Sequence, residues 1–491
     1  MKLYYYNKKD LYDILHFKKI NIEYDFTARF EITNTIIKKI TTNLSSEIKN
    51  EKLRAAILTF QYKYIYENLA GLIYILQLRN EFNKKTFVIK SGNPGIFKVK
   101  EISEFNFASK DGFFYYCLVF LAYLKKGASK KKYYEFKKII LLIKRDNLST
   151  RIWNLICSEF KIENEIRDED FFGFSLKDYS EMNIPAAVHR DLLTIKKLFG
   201  KAFYLKIKYY IKSGVSYFKK NPTENFITFE QHTLSYMILS YLSEFLNIRS
   251  LSIAHAVINV DYKRHLGFDH CLVYGKSSEE TFEREDSIVC GKIYKTGAPI
   301  MDNMFRNIPE TKSFSNKVLY LADYITNFGY DIEEVHVAKN NLLKSFLLKF
   351  SKVSLTVKYH PAKINPYTDK ILSGLKNVEF KQNVDIHTEI DQADVVVCDG
   401  WSSSGLECAI RKKPLIVLNV KQRRKDYYKY YKSGYGINVT DEESMFQAYE
   451  KISNAGSKVN ESARNELIEY HLENTNAAGV TANVLQNIIA A

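Results

Sequence analysis

Ala393-Asp394-Val395-Val396-Val397-Cys398-Asp399-Gly400-Trp401-Ser402-Ser403-Ser404-Gly405-Leu406-Glu407 is the stretch whose reading decides the fold. The run Asp394–Cys398 has the length and β-branched content of a buried strand, Gly and Ser follow at once, and apolar residues at helical spacing come next. Buried strand, small-residue loop and helix form the unit from which parallel sheets are built. The loop sets Ser402, Ser403 and Ser404 and free backbone N–H groups around a helix start, where an anion is favoured. Glu407, one turn further on, can accept hydrogen bonds from a diol such as ribose. The same serines also suit an ordinary helix cap.

Working outward, the strand Ser354–Lys358 ends in Tyr359-His360-Pro361. Pro361 stiffens the backbone there, and His360 stands at the carboxyl end of a strand, where open α/β sheets bind ligands. Further strands are predicted at Lys317–Leu321, Val378–Phe380 and Pro414–Leu418, with helices near Glu333–Phe350, Tyr367–Leu375, Gly405–Ile410 and Glu442–Ser453. An earlier block alternates in the same way: strands Phe226–Phe229, Ser250–Ala254, Cys271–Tyr274 and Ile288–Tyr294, with a helix over Thr233–Leu246. Thr296-Gly297-Ala298-Pro299 and Asp302 punctuate the series. Two such blocks predict two Rossmann-type, doubly wound domains facing a cleft.

Residues before about 220 read mainly as helices, among them Ala55–Leu78, Phe113–Leu124 and Tyr133–Ile143, with a candidate strand at Thr86–Lys90. The expected organisation is an acceptor-side domain over 1–310, helix-rich to about 220 and α/β from about 225. A nucleotide-binding domain then spans 311–470, and a C-terminal helix in 471–491 packs back on the first domain.

The chain has 491 residues, 46% of them hydrophobic, which is ample for two or three cores and excludes a disordered or small disulfide-stapled protein. Its 72 basic and 56 acidic side chains give a formal charge of +16. That charge suits nucleic acid, an anionic membrane face or a phosphate-bearing substrate. Nucleic acid is set aside because no zinc-ligand spacing, RNP-like strand or isolated basic helix is present. The six cysteines are scattered without a CxxC pair, as expected of a reducing, cytoplasmic compartment. Met1–Lys19 lacks a signal-peptide core, so no export is predicted. Phe113–Leu124, about twelve residues, is shorter than the roughly twenty that span a bilayer and reads as a buried helix.

The quoted motifs, with Lys413-Pro414-Leu415-Ile416-Val417 and Gly434-Tyr435-Gly436-Ile437 before Asp441, resemble the nucleotide-binding half of GT-B glycosyltransferases over residues from about 225 to 470. Within that fold, His-Pro followed by Ser-Ser resembles bacterial sialyltransferases and transferases of 3-deoxy-manno-octulosonic acid (Kdo). The resemblance implies an inverting, metal-independent glycosyltransferase that takes a CMP-activated sugar, Kdo or a sialic-acid-like nonulosonate, and needs no cofactor. It implies a glycan or glycolipid acceptor in capsule or lipopolysaccharide synthesis. His360 and Ser402 to Ser404 would hold the CMP phosphate, and Glu407 the ribose.

The family's catalytic acid before Gly is matched only by Lys110-Asp111-Gly112-Phe113, whose first position departs from the pattern; Asp111 is the candidate base, although a helix start would use it equally well. His255, after the strand Leu251–Ala254, is the alternate base.

Competing readings are a CDP-polyol phosphotransferase of teichoic-acid type, which usually carries Trp-His-Gly where this chain has Ala254-His255-Ala256, and a UDP-sugar 2-epimerase-like enzyme, which carries Ser-Gly-Gly and paired Glu. A non-catalytic glycan- or nucleotide-binding relative is the reading from another class. Asp168-Glu169-Asp170 has the letters of a metal motif, but no apolar strand is evident before it and it reads as a solvated loop. The interleaved Tyr and Lys of Lys421–Lys432 suit peripheral contact with an anionic inner membrane, or a solvated face.

Overall fold

The structure, a computed structural model, describes residues 44–60 except 46, then 87–89, 99–101, 140–143, 147–159 and 166–168. It also describes 185–490 except 230, 258–264, 284–286, 307, 309–312, 323–332, 362–363, 401, 421–425, 427 and 474. Asp111 and its neighbours, Phe113–Leu124, Trp401 and Lys421–Lys425 therefore lie outside the described residues.

Fourteen strands are labelled β1 to β14 in chain order, and Phe87–Ile89 (β1) and Val99–Glu101 (β2) form a small antiparallel pair. The N-terminal sheet contains Ile140–Ile143 (β3), Ile166–Asp168 (β4), Asn225–Thr228 (β5), Arg249–Ile253 (β6), His270–Val273 (β7) and Lys292–Lys295 (β8). Its spatial order is β4-β3-β5-β6-β7-β8 and every pair in it is parallel. The helices used below are Asn147–Ser158 (α1), Ala186–Lys220 (α2), Leu234–Phe245 (α3) and Lys276–Phe282 (α4).

The C-terminal sheet contains Lys317–Ala322 (β9), Ser354–Tyr359 (β10), Val378–Lys381 (β11), Val395–Asp399 (β12), Leu415–Leu418 (β13) and Gly436–Val439 (β14). Its order β11-β10-β9-β12-β13-β14 reads 3-2-1-4-5-6 within the sheet, the doubly wound arrangement whose winding reverses between β9 and β12. Helices Glu333–Lys349 (α5), Pro366–Leu372 (α6), Ile386–Gln392 (α7), Ser404–Ile410 (α8), Glu442–Asn454 (α9) and Glu461–Leu472 (α10) belong to this half, and Ala477–Ala490 (α11) closes the chain. β12 is central, with both its edges paired, to β9 and β13. Residues 395–399 are all fully buried, which is why an unbroken apolar run rather than an alternating one encodes this strand.

The α/β class and the two doubly wound sheets are as the sequence predicts. Two expectations are corrected. Ile140–Ile143, read as the end of a helix, is strand β3, and the α/β layer therefore begins there and not near 225. Four apolar residues fit either period; pairing with β5, Ile140 opposite Asn225 through Ile143 opposite Thr228, decides the matter. Asp168, read as part of a solvated loop, ends the edge strand β4, while Glu169 and Asp170 lie outside the described residues.

Helix α11 packs on the N-terminal half. Ala482, Leu485 and Ile488 join Ile152, Trp153, Ile227 and Phe229 in one apolar cluster. Asp302, 2% exposed, accepts hydrogen bonds from the backbone N–H groups of Ala477 at 2.9 Å and Ala478 at 2.7 Å. Burial raises the pKa of this carboxyl, against the lowering effect of the two N–H groups. The residue after the Gly-Pro punctuation is thus the anchor of the last helix. Among the described residues no helix is long and apolar enough to cross a membrane.

Candidate functional site

The carboxyl ends of the two sheets meet at a cavity of about 210 Å³. Arg151 of α1 and His255, two residues beyond β6, line it from the N-terminal half; Asp385, His387, Ser403 and Glu407 line it from the C-terminal half. Three residues singled out in the sequence, His255, Ser403 and Glu407, therefore share one cavity.

The His255 ring is oriented by the chain itself. Its Nδ1 lies 2.7 Å from the carbonyl oxygen of Phe229. A carbonyl only accepts, so Nδ1 carries a hydrogen, and a neutral ring then has its lone pair on Nε2. That is the form in which an imidazole can take a proton.

On the opposite wall, His387 Nε2 stands 3.2 Å from Glu407 Oε2, with the two side chains 31% and 15% exposed. The contact with Glu407 raises the histidine pKa above its ordinary value, with a further contribution from Asp385; partial burial and Arg151 act the other way. The carboxylate expected at a ribose thus stands beside an imidazole whose protonated form it favours. Asp385 caps α7, accepting from the backbone N–H and the hydroxyl of Thr388, each at 2.9 Å. His387 was not found from sequence; the Asp385 cap three residues before Thr388 is the signal that locates its helix.

The serine loop is held from behind. Ser402 N donates to the Asp399 carbonyl at 3.0 Å, and Tyr430 Oη donates to the Ser402 carbonyl at 2.6 Å. Ser403 is the N-cap of α8, its hydroxyl makes no capping bond, and the residue lines the cavity. Ser404 is the first residue of that helix. The Tyr430 ring packs so closely on Gly405 that a Cβ there would lie 2.4 Å from it, which explains the glycine. Beneath the loop, Lys339 Nζ of α5 donates to Asp399 Oδ2 at 2.8 Å, with both side chains at most 2% exposed. No sequence signal marks Lys339, which has the look of a surface lysine on a helix.

His360 lies at the carboxyl end of β10, exposed, with its carbonyl 3.4 Å from Gln382 Nε2, and it does not line the cavity. Asp111 lies outside the described residues. Part of the run Lys421–Lys432 lies within the described residues. Tyr428 and Tyr430, 6% and 0% exposed, stack inside the protein at 5.3 Å, so their rings are not available to headgroups. Asp426 organises the turn, accepting from the backbone N–H groups of Tyr430, Tyr431 and Lys432 at 2.8 to 3.0 Å. Among the described residues no group of three or more His, Cys, Asp or Glu could hold a metal ion.

No protein-family profile and no curated protein matches this chain. Among solved structures, S. aureus MnaA in a co-structure with UDP is similar at 12% identity, with 72% of this chain and 97% of that one covered and a TM-score of 0.47. UDP-GlcNAc 2-epimerase from Neisseria meningitidis, bound to UDP-GlcNAc, is similar at 10% identity over 72% and 100% of the two chains, with a TM-score of 0.46. The wall teichoic acid polymerase TagF is similar at 12% identity over 72% and 89%, with a TM-score of 0.40. None of these likenesses assigns a role to a residue of this chain.

Proposed function

We propose that the protein is a glycosyltransferase that moves a sugar from a nucleotide-activated donor to a glycan or glycolipid acceptor, at the cytoplasmic side of a membrane. The observation that carries this reading is the cavity between the two halves, where the His255 imidazole, held through Nδ1, shares the lining with Ser403 and the His387–Glu407 pair. His255 takes the proton of the acceptor hydroxyl as it attacks the anomeric carbon, with Asp111 as the alternate base. His360 and Ser402 to Ser404 serve the phosphate of the nucleotide. The donor class that best fits the His-Pro and serine motifs is a CMP-linked ulosonic acid, Kdo or a nonulosonate. Direct displacement inverts the anomeric configuration, and donors fixed in advance at the phosphate replace a metal ion.

Incubation with a panel of CMP-, CDP- and UDP-sugars, with and without acceptor glycans, tests the reading. Nucleotide release that rises with acceptor and survives EDTA supports it. Retained anomeric configuration or a strict magnesium requirement counts against the mechanism, and nucleotide binding with no turnover of any donor marks a non-catalytic binding protein. His255→Ala should lower kcat about 10²–10⁴-fold and leave nucleotide affinity within a fewfold, whereas His360→Ala should weaken affinity about ten- to hundredfold.

A further inference from the structure

The cavity holds two imidazoles, one on each wall, and their surroundings prepare them for opposite tasks. His255 is tied through Nδ1 to a backbone carbonyl and offers a lone pair. His387 stands with Nε2 3.2 Å from the Glu407 carboxylate, which favours its protonated form. A protonated ring has two N–H groups, and with Nε2 turned to Glu407 the Nδ1–H remains as a donor for a ligand. One imidazole able to take a proton at Nε2 and a second drawn towards its protonated form make a pair suited to acid–base catalysis.

We propose that His387 is the proton donor to the departing phosphate, held in place by Glu407, so that transfer runs between two histidines on opposite walls of one cavity. This rests on the glycosyl-transfer reading. In the step, the acceptor oxygen forms a bond to the anomeric carbon while the bond from that carbon to the phosphate oxygen breaks and its electron pair leaves with the phosphate. The acceptor proton passes to His255 Nε2, and His387 gives a proton to the phosphate oxygen. Exchange with solvent after product release restores both rings.

The geometry favours a working pair over a structural one. Lys339–Asp399 shows what a structural pair looks like here, sealed at 2% and 0% exposure. His387 and Glu407 instead open onto the cavity. The charged and titratable groups around His387 are Glu407 of α8, Asp385 at the start of its own helix, Arg151 of α1 and His255 on the far wall, with Lys358 of β10 interacting with both carboxylates. Glu407 is thus a positioning residue here, and its ribose role passes to another group.

Side-chain NMR titration of wild type, Glu407→Gln and His387→Gln, combined with pH–rate profiles using CMP-N-acetylneuraminate and UDP-GlcNAc as probe donors, tests the proposal. His387 should titrate above the ordinary histidine range in wild type and fall back in Glu407→Gln. Activity that depends on protonated His387 is lost as pH rises, so Glu407→Gln should move the basic limb to lower pH, and His387→Gln should lower kcat about 10²–10⁴-fold and abolish that limb. A basic limb unchanged in Glu407→Gln, or a His387→Gln variant that loses only thermal stability, overturns the acid assignment. If neither donor is turned over while His387 still titrates high, the glycosyl-transfer reading fails and takes the acid role with it, but the ion pair stands.

Discussion

In the N-terminal sheet the ion pair Lys52–Asp269, 2.6 Å long, lies at the amino ends of β6 and β7, where Asp269 also accepts from the backbone N–H and hydroxyl of Ser250. In the C-terminal sheet Lys339–Asp399 lies at the carboxyl end of β12, directly under the serine loop. The first pair keeps a third of its carboxylate side chain in water, 34% exposed against 0% for Asp399. One half thus spends a buried charge on locking strands far from the cavity, and the other spends it on the loop that borders the cavity. The contrast is one of placement: the sealed pair stiffens a loop beside the cavity, and the half-open pair ties strand starts away from it.

Lys339→Ala is the substitution that separates the halves most sharply. Depriving the buried Asp399 carboxylate of its ammonium should cost about 3–5 kcal/mol in denaturant unfolding and abolish nucleotide binding. Lys52→Ala, whose carboxylate partner can turn to water, should cost no more than about 1.5–3 kcal/mol and leave nucleotide affinity intact. Equal losses of affinity in the two variants would break the contrast. Gly405→Ala forces the Tyr430 ring off the loop and should cost about 1–3 kcal/mol, with weaker nucleotide binding as its calorimetric signature.

The smallest effect concerns the seam between the halves. His471 is buried, its Nε2 donating to the Tyr428 carbonyl at 2.9 Å and its Nδ1 accepting from Ser277 of α4 at 2.7 Å. Burial depresses its pKa from the usual 6.5 to about 4. A depressed folded value means a stabilising effect complete above pH 6.5 and lost as pH falls towards about 4, because the unfolded chain takes up the proton first. Thermal unfolding of wild type should therefore decline more steeply across that window than unfolding of His471→Gln.

Most of the C-terminal sheet was legible because its central strands are covered on both faces and therefore read as unbroken β-branched runs ended by Gly, Pro or Ser. β3 was not, since Ile140-Leu141-Leu142-Ile143 carries no local sign of its partner β5, more than eighty residues away by about any count along the chain. At the site, His255, Ser403 and Glu407 were visible because each follows a strand, the place where such sheets bind ligands. His387 was not visible because it sits in a short, mostly polar helix, Ile386-His387-Thr388-Glu389-Ile390-Asp391-Gln392, whose pattern shows no buried stripe. Its importance arises only when α7 and α8 bring it to Glu407. Lys339 is a case of the same kind, since helical lysines are ordinarily solvated and only the fold turns this one inward.

The anchoring of α11 on the N-terminal half has a mechanical consequence. The chain passes from the first half to the second between Arg306 and Lys317, and returns between α10 and α11 to the site where Asp302 receives Ala477 and Ala478. The C-terminal half is therefore spliced into the N-terminal one and tied to it at both ends. Beyond these two ties, α10 bonds to α4 through Tyr470 to Glu280 and His471 to Ser277, and Arg411 donates to the Met304 carbonyl. Pulling the cavity walls apart would have to break these contacts as well as the α11 anchor.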